Sequence, residues 1–140
     1  TRVIAEGPYG VFTAKSRETS QIAAFAAGIG ITPIRAMLDD LPPGVDVTVV
    51  YRVAELQDES VALRAELEEI VSRRGWELIY LPGSRSEYAM SVDYLTQLVP
   101  KMALSDVYVC GPRGFADAVR AAACTAGVPP SRLHYEAFAF

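Results

Sequence analysis

The chain has 140 residues, enough for one domain with a core of its own. Hydrophobic residues make up 51 % and charged residues 21 %, a balance that excludes intrinsic disorder. The net charge of −4 leaves no overall positive field for a phosphate backbone, so nucleic-acid binding is disfavoured.

In chain order, residues 1–13 read as a strand and a tight turn that belong to something else. Residues 14–20 read as a polar linker, and residues 21–140 as the domain proper, so the chain is expected to be the C-terminal part of a longer protein. Gln21 to Gly28 is a continuous apolar run, as expected of a strand covered on both faces. The apolar stretch around it, Ile22 to Ile31, is about half of a membrane span. Pro33 to Leu41 carries Ile34, Met37, Leu38 and Leu41 at helical spacing, and Pro42-Pro43-Gly44 stops it. Val45 to Tyr51 is β-branched and strand-like. Val61, Leu63, Leu67, Ile70 and Val71 predict a second helix, with Arg73 and Arg74 in its last turn and Gly75 after it. Trp76 to Leu81 is a third strand, and a loop from Pro82 to Met90 follows. Ser91 caps a short helix striped by Val92, Leu95, Leu98 and Val99. Asp106 to Cys110 is a fourth strand, Arg113 to Ala126 an Ala-rich helix with Phe115, Val119 and Ala122 inward, and Arg132 to Phe138 a fifth strand.

Strands alternating with helices predict an α/β fold of three layers, a five-stranded parallel sheet with helices on both faces. The strand-end connections at Gly28, Tyr51, Leu81, Cys110 and Phe138 then share the carboxyl edge, where ligands of open α/β sheets bind.

The first of them, Gly28-Ile29-Gly30-Ile31-Thr32-Pro33, has glycines that let backbone amides approach an anion. Thr32 suits an N-cap and Pro33 the first helical position, so a pyrophosphate is the natural guest of that helix start. A tight turn that merely needs glycines is the competing account. Strand two ends Tyr51-Arg52, where common dinucleotide sites place an acid for the ribose; Glu55 and Asp58 lie further on. A cation there suits an extra phosphate, as do the hydroxyl and guanidinium of Ser84 and Arg85 after strand three, although for Ser84-Arg85 taken alone a polar surface turn is the better account. Cys110-Gly111-Pro112 sets a thiol where strand four meets the site; it is either an activated thiol or a small buried hydrophobe. Cys124 reads as core, and a bridge between the two cysteines is disfavoured. Two cysteines and a lone His134 offer no metal-ligand spacing, so no metal is expected, and His134 reads as a satisfied strand residue. With so few cysteines, a reducing, cytoplasmic setting is the default.

Together these residues carry a resemblance. Gly7-Pro8-Tyr9-Gly10, Gly28 to Pro33, Ser84-Arg85, Cys110-Gly111-Pro112 and Glu136-Ala137-Phe138, in that order, resemble the NAD(P)H-binding domain of the ferredoxin–NADP reductase superfamily. The wording looks most like ferric-reductase-like and NADPH-oxidase-like flavoproteins. The resemblance implies that residues 1–13 end a preceding FAD-binding β-barrel of the same parent chain. It implies that Gly28, Gly30, Ile31, Thr32 and Pro33 hold the pyrophosphate and nicotinamide ribose, beside Gly111 and Pro112. Ser84 and Arg85 would hold the 2′-phosphate of NADPH, with NADH the poorer nucleotide. Cys110 would lie beside the nicotinamide, Glu136 near the hydride path, and Phe138 on the flavin ring. Here Ala139 and Phe140 follow, so either phenylalanine can be the stacker, with the Glu-x-aromatic register favouring Phe138. Tyr88 and Tyr94 follow the Ser-Arg pair without the lysine of plant-type members, which makes the NADPH preference modest. The expected function is hydride delivery from NADPH to a flavin, and onward transfer to haem, an iron–sulfur protein or ferric iron. The parent protein is expected to be cytoplasmic, with the cytoplasmic face of a membrane-anchored parent, partnered by a membrane haem domain, as the other option. The alternative is a non-catalytic nucleotide-sensing or protein-interaction module on the same fold.

Overall fold

The structure is a computed structural model that describes residues 2–3, 17–53, 61–82 and 91–138. Its elements are β1 (Arg2–Val3), β2 (Gln21–Ala27), α1 (Ile31–Asp39), β3 (Asp46–Val53), α2 (Val61–Arg74), β4 (Glu77–Pro82), α3 (Val92–Leu98), β5 (Asp106–Pro112), α4 (Arg113–Thr125) and β6 (Leu133–Phe138). Their order across the sheet is β1-β6-β5-β2-β3-β4. The five strands β2 to β6 are mutually parallel, as the alternation of strand and helix requires. Arg2–Val3 adds a two-residue antiparallel edge, with Arg2 opposite Phe138 and Val3 opposite Ala137.

Each face of the sheet has its own core, because alternate residues of a strand point to opposite sides. Ile22, Ala24 and Ala26 of β2 pack with Ile34 and Leu38 of α1 and Leu67 and Ile70 of α2. Ala23, Phe25 and Ala27 pack with Leu95 of α3 and Phe115, Val119 and Ala123 of α4. The alanines of central β2 keep both helical layers close. Trp76 seals the rim, its indole N–H donating to the Val45 carbonyl at 2.9 Å, with Arg74 stacked at 4.4 Å from its ring centre.

Three local expectations are corrected. Helix α1 starts at Ile31 rather than Pro33 and is capped by Gly30 with no side-chain bond, so Thr32 is not its N-cap. A 3₁₀ turn over Gly28–Gly30 runs straight into the helix and moves its start upstream; Pro33 is tolerated at the third position because that N–H has no helical partner anyway. Cys110-Gly111-Pro112 is the end of β5, not a connection after it, since ladder pairing with β6 continues to Pro112 opposite Phe138. Cys124 is exposed: the inward stripe of α4 is Phe115, Ala116, Val119, Ala122 and Ala123, and position 124 falls beside Arg120 on the outer side.

Candidate functional site

Adjacent β2 and β5 leave the sheet in opposite directions of winding, the next strand lying on the β3 side of one and the β6 side of the other. Their carboxyl ends therefore flank the crevice where an open α/β sheet takes its ligand. Gly28, immediately after β2, has φ +58°, and a Cβ built there meets no described residue within 4 Å. On that side the described residues leave the main chain open to a ligand. Gly30 is pressed onto β5: a Cβ there would lie 2.1 Å from the Cys110 carbonyl oxygen. At Gly111 a Cβ would reach within 3.0 Å of Phe115 Cδ2 and 3.1 Å of Ala27 Cβ. Two of these glycines thus make the β2 and β5 ends meet, and the third bends the loop. Ile31 is buried, and its amide donates within the turn to the Gly28 and Ile29 carbonyls. Thr32 and Pro33 continue the first turn of α1, and Ile29 stands exposed above it.

Cys110 is fully buried, and register places it opposite Glu136 on β6. Its thiol lies 3.9 Å from Glu136 Oε1, and Glu136 is itself buried. The two predicted site residues on β5 and β6 are thereby brought together, next to the glycine loop. Phe138 is the last residue of β6, paired in register with Pro112. Arg52 ends up inside: it is 7 % exposed, on the α4 face of β3, with its guanidinium 4.8 Å over the Phe115 ring. Ser84, Arg85, Glu55, Asp58, Tyr88 and Phe140 lie outside the described residues. Among the described residues no three His, Cys, Asp or Glu side chains gather as metal ligands, and no helix is long and apolar enough to cross a membrane.

At the opposite, amino edge of the sheet the structure adds a polar group that pattern reading missed. Asp106, fully buried at the start of β5, faces His134 Nε2 at 3.1 Å, and the imidazole stacks on Tyr108 at 4.3 Å. His134 is a satisfied strand residue, as expected. The signal for Asp106 is absent from the sequence, because an aspartate opening a strand reads as a solvated edge.

The profile of the oxidoreductase NAD-binding domain family matches residues 25–121, more than half of the chain. The chain belongs to this family. Similar proteins include a flavohemoprotein of Vibrio cholerae, 29 % identical over 94 % of this chain and 34 % of its own length. Another is the ferredoxin reductase component of a Rhodococcus rhodochrous 3-ketosteroid-9-alpha-monooxygenase, 31 % identical over 94 % of this chain and 37 % of its own. The crystal structure of flavohemoglobin from Malassezia yamatoensis, with bound FAD and heme, shares the fold at TM-score 0.70 and 24 % identity, over 94 % of this chain and 36 % of that one. The chain spans about a third of the length of the curated relatives it matches. The family places it among oxidoreductase domains that bind a nicotinamide nucleotide, within the ferredoxin–NADP reductase superfamily that the ordered motifs resemble.

Proposed function

We propose that this chain is the NAD(P)H-binding half of a flavoprotein oxidoreductase, working on FAD held mainly by a preceding domain of the same parent chain. The observation that carries this reading is the Gly28–Gly30 turn seated on the Cys110 carbonyl at the switch point, with Glu136 beside the Cys110 thiol. The open side of Gly28 and the start of α1 fit a pyrophosphate, which favours helix N-termini. Gly28, Gly30, Thr32 and Pro33 would line the nucleotide, with Ile31 packing the loop from beneath and Gly111 and Pro112 completing the rim. Ser84 and Arg85 would select NADPH over NADH. Buried Arg52 would serve this end of the site through Phe115 rather than as a free cation.

With both groups bound, the chemistry supplied is hydride transfer from nicotinamide C4 to flavin N5. The chain's own share is placement. Cys110 and Glu136 form a rigid floor at the sheet edge, the thiol donating toward the carboxylate, and neither side chain is exposed to water. Holding two reactants at contact lowers a barrier by up to ~7–11 kcal/mol in the best cases. Phe138 would cover the flavin until nicotinamide arrives. Electrons would leave toward haem or an iron–sulfur partner, as the names of the relatives suggest, while ferric iron rests on the sequence resemblance alone. A cytoplasmic location, or the cytoplasmic face of a membrane-anchored parent, suits such a partner.

The test is anaerobic mixing of the full flavoprotein with NADPH while flavin absorbance is followed. Bleaching is expected, and Cys110→Ala should slow it about tenfold or more with little change in nucleotide affinity. FAD that stays oxidised with both NADPH and NADH would sink the reading.

A further inference from the structure

Residues 17–20, which lead into β2, are tied to the sheet by a buried carboxylate. Asp106 Oδ2 accepts from the Glu18 amide at 2.9 Å and the Thr19 amide at 2.7 Å. Thr19 Oγ1 lies 2.9 Å from the same oxygen and 2.8 Å from the Gln21 carbonyl, its single proton serving one of them. The other oxygen, Oδ1, takes His134 Nε2. Around this centre Arg17 donates to the Thr19 carbonyl at 2.7 Å, Ser131 Oγ lies 3.3 Å from Glu18 Oε1, and the Asp46 amide donates to the Ser20 carbonyl at 2.8 Å. Both side chains of the central pair are buried. A carboxyl group with partners on both oxygens and shielded from water is a stiff fastening.

Its position matters. Asp106, Tyr108 and Cys110 alternate along β5 on one face, with His134 and Glu136 beside them on β6. Asp106 therefore lies about 13 Å along one strand from Cys110. Earlier in the chain, Arg2 and Val3 pair with Phe138 and Ala137. Residues 18 and 19 are thus held at the amino ends of the strands that carry the candidate hydride site, and Arg2 and Val3 at their carboxyl ends.

We propose that Asp106, oriented by His134, is a positioning residue: by locking residues 18 and 19 it sets where the preceding flavin domain holds its ring relative to Cys110 and Glu136. This rests on the flavoprotein reading above. It involves no contact with nucleotide or flavin, so its signature is a loss of hydride-transfer rate without loss of nucleotide affinity.

The experiment uses the full flavoprotein with Asp106→Asn, which keeps the shape but replaces one of the two acceptor oxygens by a donor, and Thr19→Val, which leaves the core untouched. Three quantities are read: hydrogen exchange of the residue 18 and 19 amides, the nucleotide dissociation constant, and the rate of flavin reduction at saturating NADPH. For Asp106→Asn we expect lost protection at 18 and 19, unchanged nucleotide affinity and a reduction rate lower by about tenfold or more, because small misplacements of reacting atoms are costly. Thr19→Val should move rate and protection the same way by less. Unchanged reduction rates in both variants overturn the proposal, as does nucleotide affinity falling in step with the rate. If Asp106→Asn does not fold, an unchanged rate in Thr19→Val overturns it alone. An unmodified protein whose flavin neither nucleotide reduces refutes the functional reading itself, a result distinct from variants that merely match it.

Discussion

At the scale of single residues, the site depends on what two glycines lack, and they lack it for different reasons. Gly28 needs a left-handed backbone but has open space around it. Gly30 needs only room, because the Cys110 carbonyl occupies the place of its side chain. Alanine at 28 is expected to cost about 1–2 kcal/mol, the penalty of that conformation for an L-residue. Alanine at 30 should cost about 3 kcal/mol or more, since main chain on both sides must part. It should also weaken NADPH binding, because the loop shifts off β5. Urea unfolding and a nucleotide titration of the two variants check this; a Gly30→Ala protein as stable as Gly28→Ala would mean the contact relaxes freely. The glycine pattern was readable in sequence as a loop that lets main chain come close. What it comes close to was not, because the neighbour is a carbonyl 80 positions away that only strand order brings near. Arg52 shows the same gap. Its charge suggested a partner for an extra phosphate; that its place on the α4 face of β3 lays it over Phe115 was not readable.

At the scale of elements, strands and helices were legible wherever the apolar period was long, and boundaries moved where two motifs ran together. Helix α2 ends at Arg74 with Gly75 at φ +72°, as the stop signals required, and Ser91 caps α3 by accepting from the Tyr94 amide at 3.2 Å. Helix α1 began early because a 3₁₀ turn has no distinct signature before a helix. The seam between α2 and β4 rests on a bond that no pattern announces: the Tyr80 hydroxyl donates to Glu68 Oε2 at 2.5 Å. Burial first, and that bond second, push the Tyr80 phenol up to about 12, against the opposing pull of Arg64. The folded value exceeds the ordinary one near 10, so the unfolded chain loses this proton first. The stability from this link is therefore complete below about pH 10 and disappears as pH rises toward 12. Glu68→Gln removes the charge and should bring the Tyr80 midpoint down toward the ordinary value. Phenolate absorbance, taken as a difference against Tyr80→Phe, reads it directly, and a midpoint that does not move would assign the whole shift to burial.

At the scale of the molecule, the strand order puts the β2 and β5 ends side by side, and a nucleotide bound across them touches elements far apart in sequence. Such a ligand binds the folded chain and not the unfolded one, so it raises stability by about 2.7 kcal/mol at a hundredfold excess over its dissociation constant. NADPH should therefore shift thermal unfolding of this chain upward, and NADH less at equal concentration. We propose that Ser84 and Arg85, which follow β4 in the sequence, carry the difference by meeting only the 2′-phosphate. A charge-assisted hydrogen bond to a phosphate contributes about 1.5–3 kcal/mol, or roughly tenfold and more in affinity. Arg85→Ala should thus pull the NADPH shift down to the level of NADH and leave the NADH shift where it was. If the unmodified chain responds equally to both nucleotides, it does not prefer NADPH. If Arg85→Ala weakens both responses together, Arg85 shapes the loop after β4 and some other group carries the choice of nucleotide.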